Sequence, residues 1–172
     1  APGLSLALRL NNGVPFVLDD NGLFGFPVGV IEGGDYLVTV ATQPTTQTCI
    51  VANAEGTVNG ADVTDVAVSC TDTPYSVGGT VTGLGLGQDV SLQLNDGEIV
   101  TVENGAFGFA PALTAGTPYS VEVAVQPADR VCSVQNGEGA IVSGDVTDVQ
   151  VTCVGMAHSI GGIVSGLVPS AS

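Results

Sequence analysis

Few residues in this chain are of a type that does chemistry, and their spacing limits what that chemistry is. Four cysteines stand at Cys49, Cys70, Cys132 and Cys153, with 70 − 49 = 21 and 153 − 132 = 21. Four cysteines allow three connectivities, and only Cys49–Cys70 with Cys132–Cys153 gives the same internal bridge twice. Metal binding by these thiols fits poorly, because no Cys-x-x-Cys spacing occurs and His158 is the single histidine. Disulfides imply an oxidising place, extracellular or at a cell surface. A bridge closing a loop of this size contributes about 3 kcal/mol in the chain-entropy model.

A Ser-His-acid triad built on His158 would put its general base on a loose tail, with no oxyanion-hole motif nearby. We expect no enzyme. Asp19-Asp20-Asn21-Gly22 offers clustered oxygens of the kind Ca²⁺ favours. Its counterpart, Val102-Glu103-Asn104-Gly105, has lost one acid, and no Ca²⁺ loop follows. Asp19 and Asp20 are therefore only weak metal candidates, a hairpin turn is preferred, and no cofactor is expected. The recurring pairs Asp62/Asp65 and Asp145/Asp148 are expected to cap turns before strands. The glycine-rich surroundings of Gly87 introduce no helix, so they are not a phosphate-binding loop.

The remaining composition excludes further classes. Seventeen acids stand against Arg9 and Arg130, with no lysine and a net charge of −15. Such a surface repels nucleic acid and anionic lipid. Without lysine, Lys–Asn isopeptide cross-links cannot form. No run of 18 apolar residues exists, so no membrane insertion is expected. No cleavable signal is visible, which suits an already processed chain.

The elements that position the cysteines repeat. Tyr75-Ser76-Val77-Gly78-Gly79-Thr80-Val81-Thr82-Gly83-Leu84 returns as His158-Ser159-Ile160-Gly161-Gly162-Ile163-Val164-Ser165-Gly166-Leu167, at 158 − 75 = 83. Asn104 to Phe109 answer Asn21 to Phe26, and Tyr119 to Pro127 answer Tyr36 to Pro44. Upstream the offset is 84, so Leu94 answers Leu10, with a one-residue deletion expected between Asp96 and Val102. No helical apolar period is sustained, whereas period-2 strands and Asn/Gly turns abound. Leu4, Leu6, Leu8 and Leu10 alternate as one strand, Asn11-Asn12-Gly13 turns it, and Val14 to Leu18 follow, with Pro15 suggesting an edge. Leu23 to Phe26, Tyr36 to Val40, Cys49 to Val51 and Val63 to Cys70 complete the strands expected of the first repeat. Phe24, Phe26, Phe107, Phe109, Tyr36 and Tyr119 are expected to face the core.

In order, Gly79, Val81, Val90, Leu92, Asn104, Gly105, Phe107, Phe109, Gly116, Tyr119, Val121 and Val123 resemble the prealbumin-like and bacterial immunoglobulin-like modules of large cell-surface proteins. That resemblance implies an all-β fold of two tandem β-sandwich domains, residues 1–71 and 72–157, and roles as stalks, adhesins or fibre subunits. Nothing ahead of Leu4 matches Tyr75 to Leu84, and residues 158–172 repeat that strand once more. We therefore expect a structural subunit of an extracellular bacterial filament or pilus-like fibre, assembled head to tail by donor-strand complementation. Ile160, Gly162, Ile163, Val164 and Leu167 would form the polymerisation strand, and Leu4, Leu6, Leu8 and Leu10 the acceptor groove of another copy. Folding back in cis would require crossing about 40 Å on the four residues Val154 to Ala157, at ~3.5 Å each. The alternative is a two-repeat fragment of a long tandem-repeat adhesin or stalk. The partners expected are copies of the chain itself, and no host receptor is identifiable.

Overall fold

A computed structural model of the chain describes residues 5–110 and 112–166. Among them the protein is all-β, with fourteen strands and no helix. In the first half these are β1 (Leu6–Leu10), β2 (Phe16–Leu18), β3 (Asp35–Thr42), β4 (Gln47–Ala52), β5 (Glu55–Thr57) and β6 (Ala67–Asp72). In the second half they are β7 (Val77–Thr82), β8 (Val90–Leu94), β9 (Ile99–Val102), β10 (Gly105–Gly108), β11 (Pro118–Val125), β12 (Arg130–Gln135), β13 (Glu138–Ala140) and β14 (Val146–Gly155).

The second half has two four-stranded sheets, β10-β7-β14-β12 and β13-β11-β8-β9. Their inner faces share one core, in which Val77, Val81, Val149 and Val151 of the first meet Val90, Leu92 and Val121 of the second. This is a sandwich arrangement. Period-2 patterning is visible in β8, where buried Val90, Leu92 and Leu94 alternate with half-exposed Ser91 and Gln93.

The first half repeats one of these sheets in full. The order β2-β1-β3-β5 matches β9-β8-β11-β13 strand for strand. The same local devices fold both. Asn11 and Asn12 take φ of 45° and 59°, Asn95 and Asp96 take 48° and 55°, the left-handed pair that a two-residue hairpin demands. The Asn11 amide donates to the Asp35 carbonyl and its Oδ1 accepts from the Leu37 N–H (2.7 and 2.6 Å). Asn95 does the same with Pro118 and Ser120 (3.0 and 2.7 Å). Each half also has its own disulfide, Cys49–Cys70 across β4 and β6, and Cys132–Cys153 across β12 and β14.

Three expectations need correction. Leu23 to Phe26 form no strand, although the matching β10 does. Val63 to Val66 likewise stay outside β6, whereas β14 begins at Val146. Both differences have one cause. β10 pairs only with β7, and the start of β14 also pairs with β7. Among the described residues nothing takes that place beside the first half. Third, strand register moves the one-residue difference between repeats. Leu18 pairs with Leu6 as Val102 pairs with Val90, so Val102 answers Leu18 and the extra residue falls at Asp19-Asp20 against Glu103.

Candidate functional site

The consequence of that difference is a groove. In the first half only the two-stranded β4-β6 sheet faces β2-β1-β3-β5, and a cleft of about 1250 Å³ opens between the sheets. Leu6, Leu18, Phe24, Phe26, Val66 and Val68 are among the side chains that line it. Apolar side chains around a cleft this size, beside an unpaired strand edge, are what folded proteins ordinarily cover. Among the described residues the first-half core cluster has four buried members, Leu6, Leu8, Val38 and Cys49, against fourteen in the second. Val149 and Val151 are fully buried, while their counterparts Val66 and Val68 are only partly so. Cys153 is buried and its counterpart Cys70 is exposed.

What fills this place in the second half is β7, held on both edges. It runs antiparallel to β10, with Phe107 opposite Gly79, and parallel to β14, with Val151 opposite Val81. Val77 and Val81 point inward and are fully buried, while Thr80 points out. Gly79 has to be glycine, because a Cβ there would collide with the Val149 carbonyl. At Gly83, with φ of 85°, a Cβ would strike the Cys153 carbonyl.

The copied segment is placed quite differently. Residues 157–166 form no strand and are exposed, with Ile160 at 101%, Ile163 at 98% and Val164 at 74%. Gly162 has nothing within contact range, yet it matches the glycine that a crowded strand needs. Gly166 already has φ of 81°, close to Gly83. On β7 the counterparts of Ile160 and Val164, Val77 and Val81, are buried, and that of Ile163, Thr80, is exposed. Leu167 and Leu4 lie outside the described residues. Of the leucines expected to line the groove, Leu6 and Leu10 do so, whereas Leu8 is fully buried beneath.

Of the other candidates, Asp19 accepts a hydrogen bond from the Ser5 hydroxyl (2.7 Å) and lines the cleft beside Asp20. Among the described residues no group of three His, Cys, Asp or Glu side chains is placed to hold a metal ion. His158 is exposed in the unpaired segment. Tyr36 and Tyr119 are half-buried and lie over Gly56 and Gly139, where an added Cβ would meet each hydroxyl at 2.8 and 2.7 Å. Asp145 does not cap its own turn. Its Oδ1 accepts from the Ser76 N–H (2.7 Å), and so holds the entrance of the opening strand. Sequence reasoning missed this role, although the recurrence of Asp62 and Asp145 in both repeats was the available signal. No known protein-family model matches the chain, and no curated protein is significantly similar to it.

Proposed function

We propose that this chain is a structural subunit of an extracellular filament or pilus-like fibre, in which residues His158 to Leu167 of each copy enter the first-half groove of the next. In this reading residues 1–71 and 72–157 are two immunoglobulin-like, prealbumin-like domains, and residues 158–172 carry the exchanged strand. The observation behind it is that one chain holds both a groove with apolar side chains in its walls and no strand in it, and an unpaired segment copying the strand that fills the same place in its other half. Strand addition supplies affinity through backbone pairing and specificity through alternate side-chain pockets.

The β7 register, carried over by the offset of 83, gives the expected pairing. Gly162 lies opposite Phe24 on one edge and beside Val66 on the other. Val164 lies opposite Gly22 and beside Val68. Covering Ile160 and Val164 contributes about 1.5–3 kcal/mol each. Segments 23–26 and 63–66 then gain the partner they need to become strands. Deleting residues after Ala157 is expected to give monomers with an unstable first half, and a synthetic peptide of the deleted residues to restore its stability. Filaments formed by the truncated protein would overturn the proposal.

A second reading has an observation of its own. β6 leads into β7 through a short linker, and β14 leads into the copied segment in the same way. The segment is therefore equally suited to open a further repeat of a tandem-repeat adhesin or stalk, whose grooves are filled from within one polypeptide. The intact mass of native material separates the two: 17.0 kDa subunits for the fibre, a many-repeat product for the stalk.

A further inference from the structure

The second half grips its opening strand with polar side chains as well as an apolar pocket. At the entrance the Asp145 carboxylate accepts from the Ser76 N–H (2.7 Å). At the far end Asn104 is bidentate, with its Oδ1 accepting from the Leu84 N–H and its Nδ2 donating to the Leu84 carbonyl, both at 2.9 Å. The Arg130 guanidinium adds a hydrogen bond to the Gly83 carbonyl. Between Ser76 and Leu84 the strand is thus pinned at both ends, on main-chain atoms that any sequence provides.

In the first half the counterpart of Asp145 is Asp62 and that of Asn104 is Asn21, both at 83 residues' distance. Both line the cleft. Among the described residues neither side chain has a hydrogen-bond partner, whereas other repeated polar devices are satisfied in both halves. Gln43 pairs with the Cys49 main chain as Gln126 does with Cys132, and Asn53 with the Asp65 carbonyl as Asn136 with that of Asp148. Both are exposed, and the partners that their counterparts hold in the second half belong to the opening strand. Arg130 has no such counterpart, since Gln47 stands there and donates to Asp72 (2.9 Å).

We infer that Asp62 and Asn21 are the end clamps of the groove: Asp62 takes the Ser159 N–H of an incoming strand, and Asn21 clamps the main chain of the residue in the place of Leu84, which by sequence is Leu167. This rests on the strand-exchange reading and adds to it. A strand slipped by two residues would bring Ile160 or Val164 to the crowded place that Gly162 matches, so the glycine fixes the register. The clamps, which bind main-chain atoms, add hold at the two ends of the strand in that register.

The test uses the full chain with Gly162→Val, which blocks its own tail and leaves the groove free, and a fluorescent peptide of residues 158–170. Asp62→Ala and Asn21→Ala in that host should each weaken binding about ten-fold. A peptide N-methylated at Ser159 should lose the same factor on the parent host and lose nothing further on the Asp62→Ala host. Because that change sits on the peptide, no misfolding of the host can imitate it. Equal binding by parent and Asp62→Ala hosts, or an undiminished N-methyl effect on Asp62→Ala, overturns the clamp while leaving strand exchange standing. No binding of the unmodified peptide to the parent host overturns strand exchange itself.

Discussion

The two halves of this molecule agree in one sheet and differ in the other, and the difference amounts to two strands. The sheets β2-β1-β3-β5 and β9-β8-β11-β13 match to the hairpin turn, the asparagine brace and the strand order. Opposite them, β10-β7-β14-β12 is reduced to β4-β6. Only one of the two strands is different in sequence terms. Asn21 to Phe26 carry the same Asn-Gly-x-Phe-x-Phe pattern as Asn104 to Phe109, yet without a neighbour they form no ladder. A strand that exists only through its partner is what leaves backbone hydrogen-bonding groups available to a second chain.

The largest effects should come from the glycines that make this comparison exact at backbone level. Gly79→Val forces a side chain into the Val149 carbonyl and should destabilise the second half by about 3 kcal/mol or more, read by thermal melting. Gly162→Val meets nothing in the isolated subunit, so melting should be unchanged while filaments disappear from electron micrographs. Persistence of filaments in Gly162→Val would break the equivalence of the two segments. Next in size, Val164→Ala should raise the subunit dissociation constant about ten-fold through lost burial, measured by sedimentation at graded concentrations.

The bridges give a smaller and independent contrast. Cys70 is exposed and Cys153 buried, so a mild thiol reductant should open Cys49–Cys70 several-fold faster than Cys132–Cys153 in unassembled protein, followed by mass spectrometry of alkylated peptides. Occupation of the groove should narrow that gap. Smallest is an outer-face pair. Thr80 lies across from Ala106, and the corresponding exchanged pair is Ile163 with Leu23, which is 107% exposed in the subunit. Ile163→Thr should weaken assembly about three-fold, and should do so much less when Leu23→Ala is already present.

Much of this was legible in sequence. The repeat offset located the cysteine pairs and most strands, because hydrophobic alternation and Asn/Gly turn chemistry act within a few residues. The strands at Leu23 to Phe26 and Val63 to Val66 were misjudged for the opposite reason: their patterns are strand-like, but pairing is a property of what lies beside them. The misplaced one-residue gap at Val102 follows from matching Val102-Glu103-Asn104 to Asp19-Asp20-Asn21 by local similarity, where strand register ties Val102 to Leu18. Ile163 stands in the expected polymerisation strand with Ile160 and Val164, and only the exposure of its counterpart Thr80 on β7 assigns it to the outer face in the proposed exchange. Asp62 and Asn21 read as turn residues because turns favour those types anyway, so their second use needed the hydrogen bonds of Asp145 and Asn104 to become visible.

The central claim, exchange of one segment between copies in a fixed register, is most directly tested by a cross-link. Thr82 and Thr152 are parallel register partners, and their counterparts are Ser165 and Ser69. Ser165→Cys and Ser69→Cys are made in separate proteins, mixed, assembled and oxidised, then resolved on a non-reducing gel. A disulfide-linked pair containing one copy of each variant, absent when either variant is oxidised alone under the same conditions, is the predicted result. No mixed pair from an assembled sample, or cross-linking of Ser165→Cys equally to cysteines placed elsewhere on the first half, would contradict it.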